Sequence, residues 1–171
     1  MSLGNGGSRR GQTIPTNFLR TSSKADKSRS LSVASNVGKV PITDQRAVLK
    51  AGRVKLELEL LDTVTAGLIW RALPLYSIGE TWGDSIHFEC PVRAGRERTA
   101  RLNVQPGDAC YWSEDDRVMI GWGPTPISRP NEIRLMRPCN IWAKVIGDVS
   151  DLSVVTPGEK VSLVRLEGRD N

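Results

Sequence analysis

One histidine, three cysteines and scattered acidic side chains are the groups here that could carry acid–base, nucleophilic or metal chemistry. His87 is the sole imidazole, so any Ser–His or Cys–His mechanism would have to use it. It falls on the polar side of an alternating run, where a lone histidine is ordinarily solvated or hydrogen-bonded. No glycine-flanked Ser or Cys sits on a strand-to-helix elbow, so nucleophilic hydrolysis is not expected. His87 and Cys90 have metal-ligand spacing, but residues three apart on a strand point to opposite faces. Cys110 and Cys139 stand alone, and all three thiols read as small buried hydrophobes. The run Glu114-Asp115-Asp116 lacks the glycine and alternating oxygen ligands of a calcium loop, and reads as a solvated hairpin tip. Gly4, Gly6 and Gly7 do not lie between a strand and a helix, so they form no phosphate cradle. Asp108, in Pro106-Gly107-Asp108, is read as a turn residue bonding nearby amides. No metal and no cofactor is expected.

The aromatic residues are the more informative group. Five tryptophans stand against two Phe and two Tyr. Trp70 falls on an apolar helical stripe and reads as core, while Trp142 fits either core or rim. Trp82, Trp112 and Trp122 fall at strand edges, beside Gly83, Ser113 and Gly123. There a tryptophan can seal a barrel mouth or line a pocket, offering broad apolar contact and one directional N–H. Gly123-Pro124-Thr125-Pro126 makes a rigid corner after Trp122, because two prolines fix φ and the glycine allows close backbone approach. Thr125 and Ser128 would place hydroxyls beside this aromatic edge. The candidate ligand-binding residues are therefore Trp82, Tyr111, Trp112, Trp122, Thr125 and Ser128.

The elements that must position these residues are mostly strands. Arg53–Leu60 alternates strictly, with Val54, Leu56, Leu58 and Leu60 on one face, the pattern of a half-buried antiparallel strand. Thr65 occupies a helix N-cap position ahead of Ala66, Ile69, Trp70 and Leu73, and Pro74 ends the helix, so one helix is expected over about 65–74. Further strands are expected at 85–92, 99–104, 109–112, 117–122, 141–146 and 160–166. Val40–Lys50 reads as a transition containing at most a short strand. Short strands with turn residues between them and one helix imply a closed barrel or a sandwich with a helical plug.

Charge divides the chain. The first fifty residues hold nine Lys/Arg against two acidic residues, and the rest hold fifteen against seventeen. The basicity therefore belongs to a Ser/Gly/Arg-rich leader, residues 1–45, expected to be disordered, ahead of a nearly neutral domain at 46–171. Phe18 is the leader's one aromatic, so a base-stacking surface is missing and no nucleic-acid partner is expected. Residues 9–30 have transit-peptide-like composition but no amphipathic stripe. No apolar run reaches membrane-spanning length, so no membrane partner is expected. Three cysteines without close pairs fit a reducing cytoplasm.

Several motifs in order carry a family resemblance: Thr65-Ala66 to Ala72-Leu73-Pro74, Trp82 to Phe88, Pro106 to Trp112, Gly121 to Ser128, and Lys144 to Gly147. Over about Val54 to Leu166 the chain resembles small bacterial and archaeal proteins with a cyclophilin-like fold. It departs from them at Ser85 and His87, where an acidic residue and an aromatic are usual. It departs again at Gly121-Trp122-Gly123, where Phe-Phe-Gly is common. The resemblance implies a mainly β, closed cyclophilin-like barrel, and the six residues above add the expectation that its aromatic rim binds a small molecule or peptide. Proline isomerisation is the alternative, with Arg71, Arg101 or Arg117 as the cation for a twisted amide. Fold kinship alone does not transfer that activity. An exposed strand edge would also permit homo-oligomers.

Overall fold

A computed structural model of the chain describes residues 40–168. The leader expected at 1–45 therefore lies outside the described residues up to position 39. Its last residues do not belong to a leader, because β1 (Ile42–Ala51) already begins there. The polar stretch Thr43–Arg46 hides this strand from a hydrophobicity pattern. It is held by two neighbours and by an irregularity that Thr43 bridges, its hydroxyl donating to the Leu60 carbonyl at 2.9 Å.

The remaining elements are β2 (Val54–Leu61), α1 (Val64–Ala72), β3 (Leu75–Ile78), β4 (Glu80–Thr81), β5 (Ser85–Glu89), β6 (Arg101–Val104), β7 (Asp108–Trp112), β8 (Arg117–Gly121), β9 (Ile133–Ile146), a 3-10 turn at Val149–Val154 and β10 (Lys160–Arg165). The alternation of β2 is as expected, with Val54, Leu56, Leu58 and Leu60 buried. The helix begins earlier than expected. Thr63, not Thr65, is the N-cap, its hydroxyl accepting from Ala66 N at 3.0 Å. Thr65 is drawn into the first turn because Glu97 takes both its N–H and its hydroxyl, and Asn140 Nδ2 donates to that hydroxyl at 2.9 Å. At the other end the Arg165 guanidinium bonds the Trp70 carbonyl at 2.8 Å and lies 5.0 Å from its ring centroid. A cation there suits the negative end of the helix.

All strand pairs are antiparallel, in the order β3-β10-β1-β2-β9-β7-β8-β5-β4, with β6 on β9. The expected closed barrel is not formed by hydrogen bonds: β3 and β4 are the two ends of the sheet. They are consecutive in the chain, joined by Gly79 alone. One linking residue is shorter than the two-residue hairpin loop, so the strands cannot turn back to pair. Gly79 is instead pinned to the turn that leads into β10, its N–H donating to Glu159 O and its carbonyl accepting from Gly158 N, both at 2.8 Å.

The sheet carries a core on each face. Leu58, Ile69, Phe88, Tyr111, Ile120 and Trp142 centre the larger one, which α1 covers. Cys110, Met119, Leu135, Cys139 and Ile141 form the other. Successive residues of β7 alternate between the two, so this strand is buried on both sides. A register shift against β7 at Ala109/Cys110 lets Trp142 and Ala143 both enter the larger core. Trp142 is thereby core, and Trp70 is only half-buried.

One contact frames the end of the sheet where the tryptophans cluster. The Trp82–Asp84 turn lies directly on the Gly123–Pro126 corner. Asp84 N donates to Pro124 O and Trp122 N to Asp84 O, each at 2.9 Å. Gly83 has φ +58°, and a Cβ there would lie 2.7 Å from Pro124 O and 2.8 Å from Thr125 Cα. Gly123 is crowded less severely: its Cβ would fall 2.6 Å from Asp84 Oδ2, the end of a side chain that can turn aside, and its backbone is not left-handed. Substitution of Gly83 by Ala is expected to destabilise the domain by more than about 2 kcal/mol, left-handed backbone strain and the backbone clash adding together. Gly67→Ala, on an open helix surface with nothing within 4 Å, should instead stabilise by up to about 1 kcal/mol. Chemical denaturation of the two variants checks this, and similar changes in both would dismiss the contact.

Candidate functional site

The six expected ligand-binding residues do not converge on one cavity. Tyr111 is fully buried in the larger core. Its hydroxyl lies 2.7 Å from Asp116 Oδ1, also meets the Val92 carbonyl, and accepts from Ala94 N at 3.3 Å. Burial, then the bond to Asp116, pushes its pKa up. Tyr111 thus holds the 90–100 segment against the sheet and is not available at a rim. Thr125 is buried as well, and its hydroxyl donates to Arg134 O at 2.5 Å. Ser128 Oγ accepts from Thr125 N and Arg134 N, both at 2.9 Å. These two hydroxyls fasten the proline corner to the start of β9 and do not face outward. Trp122 packs against the larger core.

Trp82 and Trp112 do come together. Their rings meet edge to face with centroids 6.2 Å apart, and both are half-buried. Trp112 ends β7 opposite Arg117 of β8, while His87 of β5 lies opposite Met119 on the other side of β8. This register brings His87 to 6.1 Å from Trp112, centroid to centroid. Arg117 Nε donates to His87 Nδ1 at 3.0 Å, and its Nη1 lies 3.6 Å from Glu89 Oε1. Burial, then the Arg117 charge, lowers the His87 pKa, with Glu80 opposing. The imidazole is therefore neutral at pH 7. With Nδ1 accepting, its proton sits on Nε2. The Trp112 indole N–H is shut off from solvent and has no partner. The face thus joins two indoles to an edge of donors, Arg117 and His87 Nε2–H. His87 was legible as a polar-face residue, but only the strand register shows that Arg117 and Trp112 flank it.

A second feature lies where the sheet fails to close. A cleft of about 690 Å³ opens between β3, with Tyr76, Ser77 and Ile78, and the far wall of Glu89, Asp115 and Asp116. Glu80 and Arg117 also line it. Of the three arginines considered for amide polarisation, Arg71 and Arg101 are exposed on α1 and β6, and Arg117 alone borders a cleft.

Among the described residues no group of three or more His, Cys, Asp or Glu is placed to hold a metal ion. The three cysteines are free and buried. Burial pushes the Cys90 thiol up to about 12 and raises Cys110 and Cys139 as well, so none is a ready thiolate. Glu114–Asp116 forms the β7–β8 hairpin tip, with Glu114 paired to Arg96. Asp108 does bond a turn amide, Gln105 N at 2.9 Å, and also pairs with Lys144. Among the described residues no helix is long and apolar enough to cross a membrane.

The same fold occurs in a hypothetical protein of the archaeon Archaeoglobus fulgidus, whose solution structure is 29% identical in sequence and superposes with a TM-score of 0.63. That match covers 71% of this chain and 95% of the archaeal one. No curated protein matches the sequence. The family model described as Cyclophilin-like matches residues 45–164, nearly the whole span from β1 to β10. With that span and the antiparallel sheet over one helix, the chain belongs to the cyclophilin-like family.

Proposed function

We propose that this domain is a non-catalytic binding module whose ligand is a small, planar, acidic molecule held on the face of Trp82, Trp112, His87 and Arg117. The observation that carries the reading is the abutment of the Trp82–Trp112 pair with the Arg117–His87 pair. Indole surface favours a flat apolar body. Guanidinium and an Nε2–H offer donors and no acceptor, so the complementary group is a carboxylate. Three free, buried cysteines support a reducing, cytoplasmic setting.

Benzoate and its neutral counterpart benzamide provide the test. Benzoate is expected to raise the melting temperature of the full chain more than benzamide does. In calorimetry, Arg117→Gln and Trp82→Ala should each weaken benzoate by about tenfold or more. If both variants melt earlier yet bind benzoate unchanged, the face is structural only.

The second reading, proline isomerisation on a divergent site, is favoured by the placement of Arg117 between His87 and the cleft. NMR exchange on an Xaa-Pro peptide separates the two. Accelerated cis/trans exchange that disappears in Arg117→Gln would support catalysis, and unchanged exchange would leave the binding module.

His87 gives the site a pH signature. A folded-state pKa below the ordinary 6.5 means the unfolded chain takes up the proton first. Stability from this residue is whole above pH 6.5 and declines as the pH falls from there toward the folded pKa. Arg117→Gln removes one depressing charge and should raise the His87 pKa, read from the imidazole proton shifts in an NMR titration. A pKa unmoved or lowered by that variant would contradict the assigned contact.

A further inference from the structure

The unclosed seam has the features of a strand-acceptor site. β3 pairs with β10 along one edge, and its other edge has no ladder. In an antiparallel strand alternate residues direct their N–H and C=O groups to each side, so part of the β3 backbone is left facing the seam. The cleft on that side, about 690 Å³, is within the roughly 300–1,000 Å³ of ordinary ligand sites. On β3, Tyr76 and Ile78 are 74% and 50% exposed, apolar side chains at alternating positions on an open edge. A groove of 570 Å³ lined by the same β3 residues with Lys50, Val161 and Ser162 lies over the paired β3–β10 side.

The charge of the seam selects among occupants. Glu80, Glu89, Asp115 and Asp116 line it, against Arg117 alone. Two of these acids are partly answered, Glu89 by Arg117 at 3.6 Å and Asp116 by Arg93 at 4.0 Å. Glu80 and Asp115 are exposed and have no ion pair within 4 Å among the described residues. An acidic or neutral strand gains nothing from that wall, whereas a basic one is attracted to it.

We infer that the seam between β3 and the β5–β8 wall accepts an extended, basic peptide segment as an additional antiparallel or parallel strand on β3. Main-chain bonds to β3 would provide the anchoring, and Lys or Arg side chains facing Glu80, Glu89 and Asp115 would provide the selectivity. This site shares Arg117 with the aromatic face but does not require a ligand there.

The experiment is calorimetry on the full chain with a short, end-blocked peptide of alternating lysine and valine. Binding is expected, weakening as salt rises. Methylating the backbone nitrogens along one edge of the peptide should reduce affinity by about tenfold or more, while methylating the other edge should not. The double variant Glu89→Lys with Asp115→Lys, both exposed positions, should cause a loss of similar size. In hydrogen exchange, β3 amides should slow when the peptide is added. The inference fails if the peptide does not bind, or if a glutamate–valine peptide binds equally well. It also fails if both methylated forms bind like the parent, or if the β3 amides are already protected in a dimer, which would make a second copy of this chain the occupant.

Discussion

The backbone contact between Gly83 and the Pro124–Thr125 peptide is the constraint on which the tryptophan-bearing end of the domain depends. It permits no side chain at Gly83, where a Cβ would lie 2.7 Å from Pro124 O. Because the two segments touch by backbone, the position of Trp82 follows from the position of the proline corner. The corner in turn is held by Thr125 and Ser128 to the first residues of β9. Trp82 therefore reaches Trp112 through a chain of short, directional contacts, none involving a long, flexible side chain. That suits a recognition surface, since rotamer-rich groups lose more entropy when a ligand immobilises them.

A second set of polar contacts does the same for the opposite side of the sheet. The 90–100 segment lacks regular structure, yet Cys90, Val92 and Ala94 are buried in the larger core. It is held there by Tyr111 at Val92 and Ala94, and by Asn140, whose amide bonds Gly95 O, Glu97 N and the Thr65 hydroxyl. Glu97 returns to the first turn of α1. Buried polar groups cost stability unless each has a partner, and here one asparagine joins helix, loop and β9. The helix start moves from Thr65 to Thr63 for this reason: the hydroxyl at 65 is committed to a tertiary partner. Either threonine suits a local cap, so local sequence could not choose between them.

What was legible in the sequence was whatever depends on short-range periodicity. The four leucine and valine positions of β2, the inward cysteines, the one α-helix among the described residues and the acidic hairpin tip all follow from alternation or turn chemistry. The illegible parts depend on register. Pro138 and the arginines at 134 and 137 interrupt the alternation of β9, so only its second half reads as strand. The irregularities that absorb Pro138 and place Trp142 in the core arise from pairing with β6 and β7. The same limit applied to the site. Trp82, Trp112 and the proline corner were visible as unusual residues at strand ends. That Tyr111 faces the larger core follows from the parity of β7, and that His87, Arg117 and Trp112 adjoin follows from β8 lying between β5 and β7. Neither is encoded within any one segment.

The seam follows from the same economy of linkage. A single residue between β3 and β4 places the two ends of the sheet side by side in the chain while preventing their union. Closure would have hidden this free edge, the usual protection of a β-domain against unwanted pairing. Here the edge stays open and acidic side chains stand around it. Acidic side chains would repel an identical acidic edge and so discourage self-association, but they also make the seam selective for a strand of opposite charge. Arg117 stands at the boundary, bonded to His87 on one side and bordering the cleft on the other. Its charge therefore moderates the acidic wall while supplying the aromatic face with its one cation, and the two surfaces share a residue without sharing a cavity.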